Sequence, residues 1–143
     1  MNSSIQQENL LLRTLAMPAD TNPNGDIFGG WIMSQMDIAG GILAVSATHG
    51  RVVTVAVDSM EFIEPVAVGD TVCVYGVVTA VGTTSITIEL EVWVSKAWSV
   101  EREEEERRKV TTASFIYVAI DENGEKLAID KSRLPPAQLA AIS

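Results

Sequence analysis

The chain has 143 residues, 47% of them hydrophobic, which fits a single domain over 1–143 with a substantial core. A formal net charge of −9 excludes the basic surface that nucleic acid or an anionic membrane requires; an anionic small molecule remains admissible where a helix N-terminus receives it. One cysteine and one histidine exclude an internal disulfide and a structural zinc site, so no metal is expected.

The first eighteen residues lack the basic start and apolar stretch of a signal peptide, and no apolar run reaches eighteen residues; a cytoplasmic chain is the expectation. Residues 8–16, ENLLLRTLA, read as a strand or a short helix, with Leu10, Leu12 and Thr14 on one face if extended. Pro18 and Pro23 then impose a loop. From Phe28 to Thr48 the length and the Leu, Met and Ala content predict a helix, with Gly50 as its stop signal.

Four strand patterns follow, over 51–63, 70–80, 83–96 and 109–120. The third alternates most clearly, with Ile86, Ile88, Leu90, Val92 and Val94 on one face and Thr87, Glu89 and Glu91 on the other. Cys73, in the second, reads as a buried thiol. The run EREEEERRK, 101–109, is nearly balanced in charge and reads as a solvated loop or hairpin extension. An Asn-Gly turn follows the last strand. Short connections predict antiparallel pairing of successive strands. The fold class is therefore α+β, one long helix covering the apolar face of a curved antiparallel sheet.

The predicted helix is apolar almost all round, as expected of a buried one, yet it carries a carboxylate, Asp37. On a helical wheel Gly30, Met33, Ser34, Gly40, Gly41 and Ala44 surround it. A helical glycine costs about 1 kcal/mol relative to alanine. The pair Gly40–Gly41 therefore implies that a second backbone or a ligand comes close there. An ionised carboxylate in such surroundings must be hydrogen-bonded or paired. It serves either as a functional acid or as a satisfied polar group at a subunit contact.

The helix start, NGDIFGGW, adds two glycines where backbone N–H groups lack internal partners and the macrodipole is positive. Glycine lets a ligand approach those groups, which makes an oxyanion hole; the alternative is a tight loop-to-helix turn. The Lys-Ser/Thr of a P-loop and the G-x-S-x-G of a nucleophile elbow are both missing. His49, twelve residues past Asp37, reads as a polar helix-end residue rather than a member of a catalytic triad.

The segments LRTLAMPADTNPNGDIFGGWIMSQMDIAGGI and HGRVVTVAVDSMEFIEPVAVGD resemble the YciA-type acyl-CoA thioesterases of the hotdog-fold superfamily, from about Leu12 to Val94 and again in the last strand. That resemblance implies a hotdog fold and hydrolysis of acyl-CoA to a free acid and CoA, with CoA as part of the substrate and no separate cofactor. It implies that Asp37 is the catalytic carboxylate, as general base or nucleophile. It implies that a helix-start amide, of Gly29 or Gly30, polarises the thioester carbonyl. Asn22, fifteen residues before the acid, fits the position of an asparagine essential in related hydrolases. The resemblance also implies a homodimer as the active unit, sites shared between subunits, and hexamers built as trimers of dimers.

The chain departs from the family's pattern in the charged connection after EVWV, where Ser95 replaces a lysine and Lys96 remains. Arg51 and Lys96 are the candidate contacts for CoA phosphates. Phe28, Trp31, Met33 and Met36 are candidates for the acyl tunnel or for plain core. Two competing readings remain. A hotdog dehydratase is disfavoured because Ile42 stands where one branch carries its histidine. A non-catalytic acyl-CoA binding module is disfavoured by the retention of Asp37.

Overall fold

The computed structural model describes residues 9–96 and 107–134. The alternating segments form five strands: β1 (Leu10–Leu15), β2 (Arg51–Phe62), β3 (Asp70–Val81), β4 (Ser85–Lys96) and β5 (Arg108–Ile120). One helix, α1 (Gly29–Thr48), lies against them. All pairings are antiparallel, in the order β1-β3-β4-β5-β2. α1 turns Ile32, Met36, Ala39, Leu43, Ala44 and Ala47 inward. They meet Ile86, Ile88, Leu90, Val92 and Val94 of β4, the alternation expected from the sequence, each at most 1% exposed.

Successive strands do not all pair as expected. β2 and β3 are joined by residues 63–69 alone, yet β2 pairs with β5 while β3 pairs with β1 and β4. The link crosses beneath the start of α1. Ile63 N–H donates to Val110 O (2.7 Å), Ile27 N–H to Val66 O (3.0 Å) and Gly69 N–H to Ala16 O (2.9 Å). These bonds satisfy the backbone of a crossing segment that no ladder serves. They also leave β2 as a sheet edge.

The outer face of the sheet is not simply polar. Cys73 and Tyr75 are buried there with Leu10, Val77 and Trp93 around them. A register shift between Leu10 and Leu12 sends Leu10 to this face, while Leu11 and Leu12 pack on the core; the expected shared face of Leu10 and Leu12 is lost. Of the two expectations for the charged run, strand extension holds for its end: Arg108 and Lys109 begin β5 opposite Val94 and Trp93. The Arg107 guanidinium lies 5.3 Å from the Tyr75 ring centroid and 5.2 Å from that of Trp93, a cation–π arrangement. Lys109 Nζ is 3.7 Å from Glu91 Oε2, and Arg108 Nε is 3.3 Å from Glu64 Oε1. Residues 101–106 of the run lie outside the described residues.

α1 is buried on one side only. Ile38, Ile42 and Val45 are about half exposed in the single chain, so apolar composition all round the helix did not mean burial all round. The left-handed residue that ends α1 is His49 (φ 60°), one position before the expected Gly50; its N–H donates to Val45 O at 2.8 Å. Its ring Nε2 lies 3.0 Å from Arg133 O, which holds the imidazole away from Asp37's end of the helix.

A second left-handed residue, Ser59 (φ 55°), sits where the β2–β5 register shifts between Asp58 and Glu61. This is a bulge on the edge strand, in a conformation glycine adopts without a Cβ penalty. Ser59→Gly should therefore raise stability by about 1 kcal/mol, read as a higher urea midpoint at unchanged slope. A lower midpoint would mean that the serine side chain itself holds the bulge.

Candidate active site

Asp37 sits two turns into α1, over the seam between β2 and β5. Thr54 and Tyr117 are direct partners across that seam, so their side chains leave the same face of the sheet. Thr54 Oγ1 donates to Asp37 Oδ1 at 2.5 Å. Tyr117 Oη donates to the main-chain oxygen of Asp37 at 2.9 Å and reaches Oδ1 at 3.3 Å. One carboxylate oxygen is thus held from the sheet below, while Asp37 itself is half-buried in the single chain. Burial, then the Asp37 charge and the hydrogen bond to it, hold the Tyr117 phenol well above the usual tyrosine range. It remains a donor at neutral pH.

Gly40, beside Asp37, has a cause within this chain. A Cβ on Gly40 would overlap Tyr117 Oη and stand 3.0 Å from two ring carbons. At Gly40 what comes close is the phenol of this chain. Gly41 carries no such conflict, since its Cβ would meet the ring at 4.0 Å.

The start of α1 forms the second half. Phe28 is the N-cap, with extended backbone (φ −53°, ψ 134°) and no side-chain cap, and the first hydrogen-bonded amides are those of Trp31 and Ile32, both to Phe28 O. Among the described residues the N–H groups of Gly29 and Gly30 have no backbone acceptor. They stand at the positive end of a twenty-residue helix. Gly30 has open space where a Cβ would be, and Gly29 would only touch Phe62. Asn22 lies beside them, its Oδ1 accepting from Asn24 N–H (2.9 Å) and Asp26 N–H (3.2 Å). That turn fixes the side chain and leaves its Nδ2 as the free donor. Asn22, Asp26, Gly29, Phe62, Glu64 and Pro65 line an open pocket of about 320 Å³.

The two halves do not meet within one chain. Gly29 and Asp37 are eight residues apart on one helix, about 12 Å along its axis. The structure therefore brings Asn22 to the pocket of Gly29, and Thr54 and Tyr117 to Asp37, but not the first group to the second. The phosphate candidates are separated too. Arg51 lies past the helix end, with Nη1 3.3 Å from Glu122 O, whereas Lys96 ends β4 opposite Asp70. Thr54 and Tyr117 were not legible as site residues. The available signal was thin, a lone hydroxyl in RVVTVAV and a tyrosine eighty residues from its partner. Among the described residues no three His, Cys, Asp or Glu side chains converge to hold a metal, and no helix is long and apolar enough to cross a membrane.

A long helix on a five-stranded antiparallel sheet, with free amides at the helix start, is the hotdog architecture. Residues 24–97 match the family model of the thioesterase superfamily, and the chain belongs to that superfamily. Its relatives narrow the group. It is 61% identical over 119 residues to the acyl-CoA thioester hydrolase YciA of Salmonella typhimurium, covering 83% of this chain and 88% of that one. It is 57% identical over 126 residues to YciA of Escherichia coli, covering 88% and 94%. Among solved structures it resembles a hexameric broad-specificity acyl-coenzyme A thioesterase, crystallised as a variant with an aspartate replaced by alanine (TM-score 0.84, 56% identity, 92% and 93% covered).

Proposed function

We propose that this chain is an acyl-CoA thioester hydrolase whose catalytic site is completed by a second copy of itself. Asp37 of one protomer, held by Thr54 and Tyr117, faces the free Gly29 and Gly30 amides of the other. The observation that carries the shared site is the separation of about 12 Å between the two halves on one rigid helix. A thioester carbonyl cannot touch both in a single chain.

The surface that joins the copies is the β2 edge. Val53, Val55 and Val57 on it are 38–54% exposed, and Ile38, Ile42 and Val45 of α1 are exposed as well. A long apolar edge with an unpaired row of backbone groups is a template for strand addition. Two-fold pairing of β2 with its copy would be self-complementary and would bring each Thr54 to the C-terminal half of the other chain's β2, which ends at Phe62 in the pocket shared with Gly29. Such a dimer is the unit from which a hexamer like that of the relatives would be built.

In that site the carbonyl oxygen accepts from the Gly29 N–H at the positive helix end, where the charge of the tetrahedral intermediate develops. Asn22 Nδ2 donates to the carbonyl or to the attacking water. Asp37 either removes a proton from water or attacks the acyl carbon itself. The C–S bond then breaks. A thiol of pKa about 8.5 leaves as thiolate with little acid help. Water supplies the hydroxyl of the free acid and the proton that ends on CoA.

The test is a panel of acyl-CoAs from acetyl to palmitoyl, followed by free-thiol release. Hydrolysis is expected and reads out chain length at once. Tight CoA binding with no release from any member would replace this reading with that of a binding module.

A further inference from the structure

Thr54 alone would give Asp37 a hydrogen bond. Tyr117 gives it something more. Its hydroxyl bridges the main-chain oxygen of Asp37 and the carboxylate Oδ1, at 2.9 and 3.3 Å, so it ties the backbone of α1 at that turn to β5. The bond to Thr54 falls on the same Oδ1. Two donors from two strands therefore converge on one oxygen. Among the described residues no hydrogen bond reaches Oδ2, so the two sheet donors hold Oδ1 and leave Oδ2 free.

The cost of this arrangement is visible in the helix. Gly40 stands one turn from Asp37, on the same side. The atom that a Cβ there would overlap is the hydroxyl itself. A core that only had to be filled would be served by phenylalanine, and the hydroxyl would not be needed. The helix instead accepts a glycine, about 1 kcal/mol worse than alanine, at the one place where a phenol reaches its backbone.

We propose that Tyr117, seated in the space left by Gly40, is a positioning residue for Asp37. It fixes the height and rotation of the carboxylate so that Oδ2 is presented to the thioester. This rests on the reading of Asp37 as the carboxylate that acts in hydrolysis. Buried at 1% exposure in the single chain, Tyr117 acts through Asp37.

The test is Tyr117→Phe in the full-length protein, which keeps the ring and removes the bridging hydroxyl. Misplacement of a reacting group by a fraction of an ångström to an ångström costs about tenfold to a hundredfold, so kcat should fall by that amount. KM should stay within about twofold, and assembly size and circular dichroism should not change. On an Asp37→Asn background the same substitution should cost nothing further, because the group it positions is gone. Gly40→Ala is the second variant. It displaces the phenol without altering it and should lower kcat in the same way, with KM again unchanged. The proposal is overturned by an active wild type whose kcat survives Tyr117→Phe within twofold, or by equal losses with and without the Asp37 carboxylate. An inactive wild type would overturn the hydrolase reading and this proposal together.

Discussion

Asp37→Asn should lower acyl-CoA turnover at least a hundredfold while leaving the protein folded and assembled. A hundredfold corresponds to about 2.7 kcal/mol of transition-state stabilisation, the low end of what a positioned acid or base supplies. The substitution separates chemistry from packing. An asparagine oxygen still accepts from Thr54 Oγ1 and Tyr117 Oη, the two donors that hold Oδ1 now. What disappears is the negative charge, and with it both the general base and the nucleophile. The melting temperature should therefore change little. kcat and kcat/KM should fall together, because the lost interaction belongs to the transition state. Near-normal turnover in Asp37→Asn would reduce Asp37 to a satisfied polar group at a subunit contact and remove the proposed mechanism.

The parts of this fold legible in the sequence were those governed by local periodicity. Ile86 to Val94 alternate because β4 is central and one of its faces is core, and the structure keeps that face. The helix was legible from its length and composition. The pairing of β2 with β5 was not, because a seven-residue link is as compatible with a crossing as with a hairpin. The difference lies in hydrogen bonds from Ile63, Ile27 and Gly69 to distant backbone. Asp37, Gly29 and Gly30 stood out because charge in an apolar helix and paired glycines at a helix start break a local rule. Gly40 broke the same rule, yet its cause was invisible, since a helical wheel cannot see Tyr117 arriving from β5. Thr54 broke no rule at all, because threonine is at home in a strand.

Exposed apolar surface shows where the single chain stops being a complete description. Ile38, Ile42 and Val45 on α1 and Val53, Val55 and Val57 on β2 would not face water in a finished protein of this composition. The same surface flanks Asp37, and the acid's proposed counterpart, the helix-start amides, lies about 12 Å away along α1. The two facts have one solution, in which the copy that covers the surface also supplies the missing amides.

Complementation between two inactive variants tests that solution directly. Gly29→Pro removes the proposed oxyanion donor and nothing else of consequence. Proline is well tolerated at the first helical position, and Phe28 before it already has the extended backbone that proline favours. The Gly29 N–H makes no backbone bond to lose, and an added Cβ would stand in ordinary contact with Phe62, 3.4 Å from its Cζ. Loss of one oxyanion donor should lower kcat by about a hundredfold to a thousandfold. The Gly29→Pro and Asp37→Asn proteins are then unfolded together, mixed equally and refolded. If each site takes its acid from one chain and its amide from the other, a mixed dimer holds one intact site and one doubly defective site. Half the dimers being mixed, about a quarter of wild-type activity should return. If both groups came from one chain, no intact site would form in any combination and the mixture would stay as inactive as its parents. Recovery of activity therefore measures where the second half of the site resides, independently of which acyl group is hydrolysed.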